Sequence, residues 1–217
     1  MQIQLSFSKI LLAFFAFIGL MITARVIYSG EYRFIFLIWN LFLAWIPFII
    51  STSFKRIQHI KWRKQSFVFF IWFLFFPNAL YIVTDLIHLD IESTVPKWYD
   101  ALLLFSSSIT GLLMAFVSLL RMEKFLLLKF NNKMVNMMIL VILFFGAFGV
   151  YLGRFLRWNS WDIISNPFGL VVSIAQRFIF PFQHLQTWGI TLLLTTLFYL
   201  LYLAIKNLPG YLNQATI

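Results

Sequence analysis

Asp85 and His88 stand three residues apart, as do Arg154 and Arg157, in a chain where only 11% of residues are charged. A histidine beside carboxylates can take a proton from water or from a lipid hydroxyl. With Asp100 as a further carboxylate, His88, Asp85 and Asp100 are the candidate acid–base residues. Guanidinium forks suit bidentate recognition of phosphate or carboxylate. Arg154 and Arg157 therefore form the centre of a candidate anion-binding set, completed by Trp158, Asn159 and Asp162 on the same stretch and by Asn78. A competing structural reading has the arginines paired with Asp85, Asp100 or Asp162, and the tryptophans marking the headgroup level. A metal set can be drawn from Asp85, His88, Glu92 and His184. It lacks the His-Glu-x-x-His spacing of helical zinc sites, so no metal ligand is assigned. There is no Gly-x-Ser-x-Gly elbow for a serine nucleophile, and no cofactor motif is singled out.

The elements that must position these groups are apolar helices. Hydrophobic residues make up 62% of the chain, with 28 Phe and 8 Trp, and mean hydropathy is +0.89. Soluble domains sit nearer ~45–50% apolar. The apolar runs approach the ~20 residues that cross a bilayer as a helix and are too long and uniform for barrel strands. The expected fold is an all-α polytopic membrane bundle, a single domain over 1–217. Its six spans are expected near 10–28, 33–53, 66–86, 99–120, 134–153 and 185–205. The first run is too long for a signal-peptide core and reads as a retained span. Residues 168–180 read as an interfacial or re-entrant helix. With no cysteine, disulfides, thiolate metal sites and cysteine nucleophiles are excluded.

Charge sets the expected orientation. Lys9, Lys55, Arg56, Lys61, Arg63, Lys64, Arg121, Lys124, Lys129, Lys133 and Lys206 fall at one end of the spans, opposed by Glu123 alone. Arg25, Arg33, Lys97, Arg154, Arg157 and Arg177 fall at the other, balanced by Glu31, Asp85, Asp90, Glu92, Asp100 and Asp162. The whole net charge of +10 is thus a topology signal. The positive-inside rule puts both termini in the cytoplasm and the polar stretches outside, in the plasma (inner) membrane. Nucleic acid is not an expected partner; membrane lipids are, with some attraction to anionic inner-leaflet headgroups.

Buried polar residues share the outward bias. Asn40 and Asn78 each lie about 10 Å inside their spans at ~1.5 Å per residue, where an amide needs a partner. Pro77 removes a backbone donor and is expected to bend span three, freeing a carbonyl near Phe73. If that helix continues, Asp85 and His88 share a face that Glu92 extends. Ser107, Gly111, Met114 and Ser118 on span four, and Gly146, Gly149 and Gly153 on span five, are small-residue stripes suited to close helix packing.

Phe76-Pro77-Asn78-Ala79 with Tyr81, Thr84-Asp85-Leu86 and His88-Leu89, then Trp98-Tyr99-Asp100, then the run from Gly153 to Asp162, resembles the bacterial integral-membrane family called domain of unknown function 1361. The resemblance covers the chain from span two to span six. Leu80 stands where the familiar pattern has a second proline. The resemblance implies fold and membrane location and carries no activity. The residues themselves point to an outward-facing polar site, with an enzyme acting on an anionic lipid or cell-envelope intermediate as the leading expectation. A transporter or channel subunit, or a membrane assembly partner, is the alternative. Transporters place ionisable groups near the midplane, whereas here they stop in the outer third.

Overall fold

The computed structural model describes residues 6–90, 94–158 and 161–214. Its order is α1 (Phe7–Ser29), α2 (Phe36–Ile57), α3 (Trp62–Tyr81), a 3₁₀ segment (Ile82–Asp90), α4 (Lys97–Leu127) and α5 (Asn132–Phe155). It continues with α6 (Asp162–Ser165), α7 (Pro167–Ile179), a short 3₁₀ turn (Pro181–His184) and α8 (Leu185–Gln214). Among the described residues there is no strand, and six helical stretches are long and apolar enough to cross a membrane. They overlap the six expected spans, so the protein is a polytopic helical membrane bundle.

Two boundaries differ from the sequence expectation, and the helix expected over 168–180 is present. Arg121 and Lys124 lie within α4, which continues to Leu127, because nothing between Ser118 and Leu127 breaks a helix. Span three loses its α geometry after Tyr81 and finishes as 3₁₀. The 168–180 stretch is a helix, α7, with Pro167 in its first turn and Asn166 Oδ1 accepting from Gly169 N at 3.1 Å, a side-chain cap with proline in its favoured first-turn position.

α4 is the hub, with 67% of its most apolar window buried. Its interior hydroxyls are satisfied locally: Ser107 Oγ donates to Leu103 O and Thr110 Oγ1 to Ser106 O. Such internal bonding is what a lipid surround demands of every polar group. Ser118 ties three helices together. It accepts from Trp72 Nε1 at 2.6 Å and donates to Pro47 O on α2 at 3.2 Å.

The small-residue stripes seat α3 between α4 and α5. A Cβ at Gly111 would stand 3.0 Å from Ala79 O, and one at Gly149 2.8 Å from Pro77 Cγ. No side chain fits at either glycine unless its neighbours shift. The polar ends of α3 and α5 are thereby brought side by side.

Candidate functional site

Beyond Tyr81 the chain narrows to three residues per turn, so Asp85 and His88 fall one above the other. Ser108 Oγ pins the start of this segment to α4 by donating to Ile82 O at 3.2 Å. Facing it is Arg154, in the last turn of α5, where a cation is favoured by the helix dipole.

Arg154 meets four partners. Its Nε donates to Thr84 Oγ1 at 2.8 Å, Nη1 to His88 Nε2 at 2.9 Å and Nη2 to Asp85 Oδ1. Its guanidinium carbon also lies 4.2 Å from the centre of the Tyr81 ring. Asp85 is fully buried, and its second oxygen accepts from Asn40 Nδ2 at 2.9 Å. An arginine can only donate, so His88 Nε2 is the acceptor here; the imidazole is neutral with its proton on Nδ1. The ring stands edge-on to Phe36, centroids 5.3 Å apart.

Asp100 belongs to a second pair. Arg25 Nε donates to its Oδ1 at 2.8 Å and Nη2 to its Oδ2 at 3.2 Å, with both side chains almost wholly buried. Glu31 is 3.7 Å from the same guanidinium, which lies 4.6 Å from the Phe34 ring centre. Phe34 touches Phe36, centroids 6.0 Å apart, so aromatic rings run from the Arg25 pair to His88. The sequence expectation grouped Asp100 with Asp85 and His88; the fold instead gives it to Arg25 on α1.

Beside the Arg154 cluster, α2, α3, α5 and α7 enclose a cavity of about 380 Å³. Phe70, Phe73, Phe145, Phe148 and Phe178 form much of its wall, and Asn40, Asn78 and Tyr81 supply polar atoms. Asn78 Nδ2 donates to Phe75 O at 3.1 Å. Trp158 and Trp161 also line it, Trp161 lying 6.4 Å from the Trp39 ring. Trp158 Nε1 donates to Ser173 Oγ on α7 at 3.1 Å.

Arg157 is exposed and adopts φ 59°, a left-handed conformation that costs an L-residue roughly 1–2 kcal/mol. The reversal lets Trp158 N donate back to Leu152 O at 3.1 Å, turning the indole onto the cavity wall. Asp162 opens α6 and accepts from Ser165 Oγ at 2.9 Å. Asn159 and Glu92 lie outside the described residues. His184 ends the short 3₁₀ turn before α8. Among the described residues, no three of His, Asp and Glu gather as a metal-holding group.

The fold therefore joins Asp85, His88 and Arg154 directly, adds Asn78, Trp158 and the turn at Arg157 around the neighbouring cavity, and sets Asp100 apart. Tyr81, Thr84 and Asn40 are the site residues that the sequence expectation left out of its list. Asn40 carried a signal, since an amide deep in an apolar span implies a polar partner. Tyr81 and Thr84 carried little, because their roles arise from the change of helical pitch. Every nitrogen of Arg154 has an acceptor, so the cluster is a preassembled polar wall at one end of an apolar chamber.

Comparison with curated proteins and with solved structures finds no match. The profile of the family described as "Protein of unknown function (DUF1361)" matches residues 39–201, which takes in α2 through most of α8 and all of the Arg154 cluster, and the chain belongs to that family.

Proposed function

We propose that this membrane protein binds an anionic amphiphile, a lipid or lipid-linked envelope intermediate, through the cavity beside Arg154. The hydrocarbon chain lies among the phenylalanines, and the polar group meets Asn40, Asn78 and the Tyr81 hydroxyl. Arg157, exposed beside the cavity-lining Trp158, supplies the positive charge. The observation that carries this reading is the double role of Asn40, which lines the cavity and donates to buried Asp85. An apolar volume ending in a few fixed polar groups is the usual form of a small-molecule site, and 380 Å³ lies within the ~300–1,000 Å³ typical of one. The charge distribution favours an outward-facing mouth, with both termini cytoplasmic.

Filling the cavity tests the reading. Leu170, on its α7 wall, is replaced by tryptophan, and lipids co-purifying with each protein are identified by mass spectrometry. Leu170→Trp is expected to lose an amphiphile that the wild type retains. An unchanged lipid complement with an intact fold would sink the proposal.

A second reading, acid–base chemistry on the bound lipid, draws on one observation. His88 accepts from Arg154 through Nε2, which leaves Nδ1–H as a donor, while Asp85 has both oxygens engaged. In this reading His88 handles the proton and Asp85 acts through Arg154 as a positioning residue. His88→Gln is expected to keep the bound lipid and abolish its conversion. Equal product formation by the two proteins would leave binding alone.

A further inference from the structure

At the opposite end of the bundle, the last turns of α2 and α4 flank a second, open cavity, about 440 Å³ in volume. Lys55, Arg121 and Lys124 line it with Gln58, over an apolar wall that includes Phe54 and Phe125. Those two rings stack at 5.1 Å and are nearly buried.

None of its cations is neutralised among the described residues. Glu123, the neighbouring acid, is taken by Lys206 of α8. Arg121 Nη1 donates to Ser51 Oγ at 3.1 Å and weakly to Phe48 O at 3.4 Å, and the guanidinium carbon lies 4.6 Å from the Phe48 ring centre. Its Nε and Nη2 meet no acceptor among the described residues. Arg121 lies six residues inside the end of α4 at Leu127, so its Cα is roughly 9 Å below that end.

Helix C-termini ordinarily repel anions, but here several of the end carbonyls already accept hydrogen bonds. Gln65 Nε2 lies 2.8–3.0 Å from Ile57 O, Gln58 O and Ile60 O, and its two N–H bonds are shared among them. On α4, Phe125 O and Leu126 O accept from Leu128, Lys129 and Phe130. Three cations line the pocket against these partly satisfied helix ends.

We propose that this basic pocket binds a phosphate group, carried by an anionic phospholipid headgroup or present as free phosphate. Arg121 grips it from below through Nε and Nη2, Lys55 and Lys124 close on it from above, and the Phe54–Phe125 pair forms an apolar floor. Lipid would add contact between its glycerol backbone and exposed Leu128. The site is independent of the cavity beside Arg154.

The test uses the full chain in phosphatidylcholine nanodiscs with a minor share of phosphatidylglycerol, followed by native mass spectrometry of retained lipid. A parallel calorimetric titration adds inorganic phosphate to protein in phosphatidylcholine alone. Wild type is expected to retain phosphatidylglycerol over phosphatidylcholine or to bind phosphate. Arg121→Gln and the exposed-site variant Lys124→Gln are each expected to weaken that binding by roughly tenfold. Retention of phosphatidylglycerol without a phosphate response identifies lipid as the source; a phosphate response in phosphatidylcholine identifies the free anion. The proposal is overturned if wild type shows neither, or if Lys124→Gln binds as wild type does. It is equally overturned if Lys64→Gln and Lys133→Gln, exposed basic positions outside the pocket, cause the same loss.

Discussion

Asn40 on α2 donates to Asp85 at 2.9 Å while its side chain also faces the apolar cavity. One amide thus couples the chamber to a carboxylate that is fully buried. Asn40→Ala leaves an Asp85 oxygen without a donor, a loss of about 1–3 kcal/mol. Asn40→Asp is expected to be worse, since it sets a second carboxylate against the first in a dry site. Thermal unfolding of detergent-solubilised protein should rank the stabilities as wild type, then Asn40→Ala, then Asn40→Asp. A neutral Asn40→Asp would mean that Asp85 is not held as an anion.

The Arg154–Asp85 pair gives a sharper contrast. Arg154→Ala leaves a buried carboxylate with no counterion, and breaking such a pair costs about 3–5 kcal/mol. Lysine keeps the charge but cannot reach Thr84, His88 and Asp85 from one planar group, so Arg154→Lys should restore only part of the loss. Removing both charges with Asp85→Asn and Arg154→Gln together should cost less than Arg154→Gln alone. A double-mutant cycle on melting temperature measures this, and strict additivity would contradict a direct pair.

Much of this arrangement is legible in the sequence. Six apolar runs fixed the spans, and the stripes at Gly111 and Gly149 foretold close helix contact because small residues in lipid have few other uses. The proximity of Arg154 to Asp85 and His88 followed from all three lying at one end of their helices. Which acid takes which arginine did not follow, since Asp100 and Asp85 are both at that end and only packing decides. Arg25 reaches Asp100 because α1 lies against α4, a neighbour relation that hydropathy does not encode. The 3₁₀ segment after Tyr81 was hidden for a related reason. Its residues would suit an α-helix equally, and the change of pitch sits in contacts with α4 and α5. The cavity wall was hidden too, because phenylalanines facing a chamber and phenylalanines facing lipid read alike.

The α3–α5 contact can be tested at glycines that differ only in surroundings. A Cβ at Gly149 would come within 2.8 Å of the Pro77 ring, whereas one at Gly19 on α1 would meet nothing within 4 Å. Proline cannot rotate aside as a flexible side chain would. Gly149→Ala is therefore expected to destabilise by about 1–3 kcal/mol through overpacking. Gly19→Ala should be neutral or slightly stabilising, because alanine is the better helix former by up to ~1 kcal/mol. Both are read as shifts in denaturation midpoint. Equal effects would show that α5 does not press against Pro77.

Orientation carries the meaning of the whole site, because an outward mouth collects envelope lipids and an inward one collects cytoplasmic ligands. The chain contains no cysteine, so single-cysteine variants report their side without background. Tyr32, between α1 and α2, and Ile164, in α6, are 71% and 87% exposed at the Arg154 end. Lys61 and Phe130 sit in the connections at the basic end and are also exposed. Tyr32→Cys and Ile164→Cys are expected to react with a membrane-impermeant maleimide in intact cells. Lys61→Cys and Phe130→Cys should react only after the membrane is opened, since the positive-inside rule predicts a cytoplasmic location for an end so rich in Lys and Arg. The opposite labelling pattern would turn the Arg154 cavity inward. It would then leave amphiphile binding standing but remove envelope intermediates as its ligands.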